Sequence, residues 1–280
     1  MQDTRIALVQ MRALTGRIEA NLAGMEQFTA HAARSGADII CFPELSATGY
    51  ARRPASLLAE EVPGKTAAAL ARMARTHGIT VLAGLVEAGG YPPQAGQRPF
   101  ITHLVCCPDG IVSGYRKTHL GRSERPFFSA GDDLPVFSLP KARIAIAICW
   151  DMHFPEVAAC LALKGAEIIF TPHASPEVSG DRRELWLKYL PARAYDNAAF
   201  VAACNLVGQV EGGRRFSGGL MVFDPRGRLL AEAGGPAEEM LVVDLPAQTL
   251  NEIRHGEARS MRQNFFLSFR RPELYRKLLD

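Results

Sequence analysis

Polar and apolar positions along this chain follow two periods. Short runs such as "RIALVQM", "IICF", "ITVLAGLVE", "EIIFT", "FVAAC" and "MLVVDL" are dense in β-branched and aliphatic residues, as buried strands are. Between them, residues 18–33, 66–77, 155–164 and 182–197 space their apolar side chains at helical intervals. "SGAD", Gly78 and Gly165 act as stops after the first three. Two hairpins are predicted. "FITHLVC" and "IVSGYRK" flank Pro108-Asp109-Gly110, and "GGLMVFDPRGRLLAEA" turns at Asp224-Pro225-Arg226-Gly227. Residues 119–135 carry neither period. "YPPQAGQRP" is expected as a surface loop, "GQVEGGRRFSGG" as a flexible connection, and the C-terminal tail as polar and Arg-rich. Strands alternating with helices and mixed with hairpins predict an α/β fold with a mixed sheet, as one domain over residues 1–280.

A chain of this length with 48% hydrophobic residues can bury a large core. Its net charge of +3 is spread over interleaved acids and bases, so neither nucleic acid nor a membrane surface is an expected partner. The basic pairs Arg182-Arg183 and Arg214-Arg215 are expected on solvated surface. No apolar run approaches the ~20 residues that span a bilayer, and the start "MQDTRIALVQ" is unlike a secretory leader. Six cysteines, mostly in apolar runs, have neither CxxC spacing nor a disulfide-framework layout, which predicts reduced thiols and a cytoplasmic location. No histidine pair has HxxxH spacing and no Cys/His cluster is zinc-like, so no metal or other cofactor is expected.

Three strands end on chemically capable residues. "DIICFPEL" delivers Glu44, "IVSGYRK" delivers Lys117, and "IAIAICW" delivers Cys149. Singly, each has an ordinary explanation: a turn acid, a solvent-facing lysine, a small core thiol. Together they form an acyl-transfer set, because sites in open α/β sheets gather outside strand ends. A thiol with a pKa near ~8.5 needs a base or a cation to become a nucleophile at neutral pH. Lys117 can supply the charge, and Glu44 can take the thiol proton and return it to a leaving amine.

These segments resemble the nitrilase, or carbon–nitrogen hydrolase, superfamily, whose shared signature is a Glu–Lys–Cys triad. "FPELSATGY" resembles its Glu motif, "YRKTHL" its Lys motif, and "CWDMHFPE" followed by "GAEIIFTP" its Cys motif. "SERPFFSAGD" resembles the segment of a second glutamate, here Glu124, and "RAYDNAAFVAACN" and "RRPELY" resemble further blocks. The resemblance implies a four-layer α-β-β-α sandwich, paired into homodimers or larger homo-oligomers, with the tail from about residue 250 at the interface. It also implies that Cys149 attacks the substrate carbon while Lys117 and the backbone N–H of Trp150 hold the oxyanion. Glu44 then serves the departing ammonia and the incoming water, and Glu124 orients Lys117 or the substrate nitrogen. The implied substrate is a small linear amide or N-carbamoyl compound. A nitrile is the alternative, and a noncatalytic interaction protein is a third reading that the intact triad disfavours.

Asp151 after the nucleophile matches amidase-type relatives better than nitrile-cleaving ones. His119 is expected to pack beside Lys117, and His153 to open the following helix. Candidate substrate-binding residues are Tyr50, Trp150, His173, Glu177, Arg182 and Trp186. The loop of His173 borders the pocket in the family, yet a satisfied structural histidine explains "TPHASPE" equally well. Arg182 suits a substrate carboxylate or a surface ion pair, and Glu177 suits an amine.

Overall fold

Alternation along the first strand shows how the layers form. In β1 (Thr4–Gln10), Ile6 and Leu8 enter one apolar cluster while Ala7 and Val9 enter another. A strand that buries side chains both ways must be covered on both faces. The computed structural model describes residues 1–50, 55–90, 97–210, 213–256, 260 and 264–278. Within them, β1 pairs in parallel with β2 (Ile39–Cys41), and β2 with β3 (Thr80–Glu87). The expected hairpin of β4 (Phe100–Cys106) and β5 (Val112–Arg116) extends this sheet, and β14 (Glu239–Leu245) closes its other edge against β1. The second sheet is built alike. β7 (Arg143–Ile146), β8 (Ile168–His173) and β9 (Phe200–Asn205) run parallel, with β6 (Val136–Ser138) on one edge and the hairpin β12 (Leu220–Phe223) and β13 (Leu229–Ala233) on the other.

The inner faces of the two sheets meet in one core, where Ile6, Leu8 and Leu82 join Ile144, Phe170 and Phe200. Each such side chain contributes roughly 1.5–3 kcal/mol on burial. Outside the first sheet lie α1 (Ile18–Arg34) and α3 (Lys65–His77), which seat Met25, Leu70 and Met73 on it, with a one-turn α2 (Ala55–Leu58) preceding α3. Outside the second lie α4 (Pro155–Leu163) and α5 (Arg182–Asn197), through Val157, Leu161, Trp186 and Leu190. The fold is therefore an α-β-β-α sandwich of four layers. Its helix ends use local chemistry. Gly78 takes φ 66° to stop α3, and Asp181 accepts from the Glu184 N–H at 2.7 Å to start α5.

Several expectations are corrected. The strand read as ending at Cys149 closes at Ile146, and Cys149 opens a 3₁₀ turn. The segment read as a flexible connection holds a small ladder of β10 (Val207–Gln209) on β11 (Arg215–Ser217); residues 211–212 between them lie outside the described residues, as do residues 91–96 of the expected loop. The tail contains α6 (Ala247–His255), which docks through Leu250 and Ile253 and through Arg254, bonded to the carbonyls of Ala166 at 2.6 Å and Ala198 at 2.9 Å. Arg183 is exposed as expected, but its neighbour Arg182 is buried at 7% exposure.

Candidate active site

The site forms where both sheets end on the same side. β2 pairing stops after the Phe42 N–H bonds to Leu82, because Pro43 has no N–H to continue it, and Glu44 is released at the end of the strand. Leu45 then turns the chain in a left-handed conformation, φ 55°. Gly84 lies directly beneath, where a Cβ would fall on the Leu45 backbone nitrogen. Lys117 follows β5, its N–H held by Ile101 at 2.8 Å.

The Lys117 Nζ donates to Glu44 Oε1 at 2.7 Å and to both Glu124 oxygens at 3.0 and 2.9 Å. Glu44 Oε2 accepts from the Ala174 N–H at 2.9 Å, and Glu124 accepts from the Tyr50 hydroxyl at 3.0 Å and the Gly121 N–H at 2.8 Å. All three charged side chains are buried. Burial pushes the Glu44 carboxyl up to about 7, with Glu124's charge adding to it and Lys117 and the Ala174 N–H pulling back. For Lys117, burial disfavours the ammonium, but Glu44 and Glu124 outweigh it and hold the pKa well above the ordinary lysine value.

Cys149 is half-buried at φ 47°, a conformation that costs a non-glycine residue on the order of 1–3 kcal/mol. Its Sγ lies 3.4 Å from the Ser175 Oγ. Burial and Glu44's charge raise the thiol to about 12 against the pull of Lys117, so the resting sulfur is protonated. The strained turn is locked by Asp151. Its Oδ2 accepts from the Ile148 N–H and the Tyr115 hydroxyl, both at 2.7 Å, and its Oδ1 from the His119 N–H at 2.8 Å and the Thr118 hydroxyl at 3.1 Å. One buried carboxylate thus ties the Cys149 turn to the chain on both sides of Lys117. Asp151→Asn is expected to lower kcat by about 10- to 100-fold with a smaller change in KM, since one oxygen becomes a donor facing donors. Steady-state kinetics alongside a melting curve check this.

The structure brings Glu44, Lys117, Glu124, Tyr50 and Cys149 together; of the remaining candidates, Trp186 pairs with His173 and lines a cleft with Arg182, while Trp150 and Glu177 face outward. Trp150 is 41% exposed and rests on His153, ring centroids 4.8 Å apart. His173 is buried, its Nδ1 on the Thr171 carbonyl at 2.7 Å and its Nε2 accepting from the Trp186 indole at 3.2 Å, so both nitrogens have partners and the ring is neutral. Glu177 is exposed, 3.5 Å from Arg215. Sequence reasoning passed over Ala174, Ser175 and Asn205. Asn205 holds the Ser175 backbone from both sides, at 2.9 and 3.1 Å. The signal that exposed the triad marks these as well, since they are polar or small residues ending the apolar runs of β8 and β9.

The sequence pattern of the carbon-nitrogen hydrolase family matches residues 5–255. The chain belongs to that family. The hydrolase is 30% identical to a protein named nitrilase from Pyrococcus abyssi, over 97% of this chain and 98% of that one. It is 33% identical to 2-oxoglutaramate amidase of Bacillus subtilis, over 79% and 82% of the two chains. Among solved structures, an amidase from Nesterenkonia superposes with a TM-score of 0.82 at 31% identity, covering 98% of this chain and 96% of that one. A glutamate-to-glutamine variant of that amidase, also at TM-score 0.82, with 30% identity over 98% of this chain and 99% of its own, shows acrylamide added to the active-site cysteine.

Proposed function

We propose that this hydrolase cleaves the C–N bond of a small linear amide or N-carbamoyl compound through a thioester on Cys149, releasing ammonia. The observation that carries the reading is a cysteine in a strained turn within the field of a buried Glu44–Lys117–Glu124 network. Burial and Glu44's own charge hold the proton on the resting thiol, while the Glu44 carboxyl sits near 7 and takes that proton only as the sulfur's charge is spent in bonding. Proton transfer is therefore coupled to attack. As Sγ bonds to the carbonyl carbon, its proton passes to Glu44 and the carbonyl electron pair moves onto oxygen. Lys117 Nζ and the Trp150 N–H receive that oxyanion, a stabilisation of about 3–4 kcal/mol per donor. Collapse breaks the C–N bond as Glu44 protonates the nitrogen. Water then gives its proton to Glu44 and attacks the thioester, and the sulfur leaves with the proton returned. Glu124 and Tyr50 keep Lys117 aimed.

Amidase names among the relatives, including N-carbamoylputrescine amidase of Solanum lycopersicum at 30% identity, support the amide and carbamoyl classes. An ammonia-release screen over ω-amides, N-carbamoyl compounds and nitriles tests them, and acid formed from nitriles alone would favour nitrilase. With Glu44 as base, kcat/KM is expected to fall about tenfold per pH unit below an inflection near pH 7, because protonation removes the acceptor for the thiol proton. A flat profile from pH 5 to 8 would remove Glu44 from that role. A cytoplasmic location is supported by six free cysteines. A homo-oligomer using the tail is supported by Phe269, Leu274 and Tyr275, which are 74%, 62% and 45% exposed.

A further inference from the structure

Arg182 is a cation that the lysine network does not use. It opens α5 and is 7% exposed. Among the described residues its Nε and Nη2 meet no acceptor, and both are sealed from water. That pair of nitrogens is the edge that forks onto carboxylates, as Arg5 does on Asp244 and Arg183 on Glu232. Among the described residues, the acids of its own segment and of its cleft are engaged elsewhere. Asp181 caps α5, Glu232 holds Arg183, and Glu177 faces Arg215. A buried guanidinium without a counter-ion is costly, and the usual reason for keeping one is a ligand that supplies the missing acceptor.

The surroundings suit such a ligand. Arg182 lines a cleft of about 350 Å³ with Trp186, Ser217 and Gly219, and the Ser217 hydroxyl is also buried with no partner. The cleft wall reaches the nucleophile's supports, since Asn205 donates to the Gly218 carbonyl and to that of Ser175, which sits beside Cys149. Behind burial, the charge of Arg182 is the next influence lowering both His153 and His173. It also acts on Tyr189, whose ring lies tilted against His153 with centroids 4.6 Å apart and which Cys149 acts on in turn. The contact that links the cleft to the site is Trp186, which lines the cleft with Arg182 and donates to His173 at 3.2 Å, next to Ala174, whose N–H holds Glu44 at 2.9 Å.

We infer that Arg182 anchors a carboxylate carried by the substrate at the end remote from the scissile C–N bond. This rests on the proposed hydrolase reading and narrows it to amides or N-carbamoyl compounds with an acidic tail. A site built to pair a carboxylate rejects the neutral analogue because the cation is then left bare. The test compares the monoamide of succinic acid with butyramide, which share a four-carbon chain. In the wild type, kcat/KM is expected to favour the acid by ~100-fold or more, and succinate is expected to inhibit competitively. Arg182→Met should erase that preference mainly through KM, with the loss on butyramide at least tenfold smaller, and Arg182→Lys should recover part of it. A wild type indifferent to the carboxylate, or an equal fall on both substrates with a lowered melting temperature, would make Arg182 structural and overturn the inference. Noncompetitive inhibition by succinate would also overturn it, placing the anion outside the substrate site. Failure of the hydrolase reading looks different: no ammonia from any amide and no adduct on Cys149, which would overturn both.

Discussion

Cys149→Ala is expected to reduce turnover by at least ~10⁴-fold, on the order of 5 kcal/mol in barrier, because it removes the sulfur that lies in the field of Glu44 and Lys117 and on which the proposed thioester forms. Its fold should survive. Alanine meets the same left-handed backbone cost at φ 47° as cysteine does, and the side chain is half-buried and packed only at the border of the core. The loss of one sulfur there should cost no more than about 1 kcal/mol. Ammonia release measures the first effect and thermal unfolding the second. Intact-mass analysis after exposure to an amide-derived electrophile should show an adduct on the wild type and none on the variant. Residual activity within tenfold of the wild type would end the covalent reading, since a nucleophile cannot be dispensable.

Lys117→Met should be nearly as damaging to catalysis and far more damaging to stability. The ammonium is the shared partner of Glu44 and Glu124 at 2.7–3.0 Å, and all three side chains are buried. Removing it leaves two carboxylates facing each other out of water, which costs about 3–5 kcal/mol when both stay charged. For a chain of this size that corresponds to a fall in melting temperature on the order of 10 °C. The loss should depend on pH with a definite sign. Lys117 pulls the Glu44 carboxyl down towards about 7, so without it the folded protein holds that proton to still higher pH. A carboxyl whose folded pKa lies above its unfolded value loses stability as pH rises between the two. The variant's deficit in melting temperature should therefore be smaller at pH 5 than at pH 8. An equal deficit at both would mean that the network is not held by charge. Catalysis should fall by ~10³-fold or more, since the oxyanion loses its cation.

The layers of the fold were legible because they depend on nearest neighbours in sequence. Ile6, Ala7, Leu8 and Val9 alternate between two cores whatever lies far away in the chain, and Gly78 stops α3 by its own conformational freedom. Elements without a period were not legible. The three-residue strands β10 and β11 are too short to show an alternation, and α6 is marginal alone, held by Leu250, Ile253 and the reach of Arg254 to distant carbonyls. Glu44, Lys117 and Cys149 were visible as polar residues ending apolar runs, a local anomaly that needs no partner to be noticed.

Their chemistry depends on partners far away in the chain. Glu44 is raised to about 7 by burial and by Glu124, 80 positions further along, and Ala174 reaches it from the second sheet. The left-handed turn at Cys149 is held by Asp151, whose distant partners lie within β5 and just after it. The same limit explains the arginine pair. Arg182 and Arg183 are neighbours of one residue type, yet Arg183 meets Glu232 in solvent while the Nε and Nη2 of Arg182 are shut in with no acceptor among the described residues. Sequence alone determined which residues carry reactive groups and which runs must be covered. Tertiary structure alone decided which charges are desolvated and what they face, because Coulomb and solvation energies depend on distance and burial in space, and separation along the chain fixes neither.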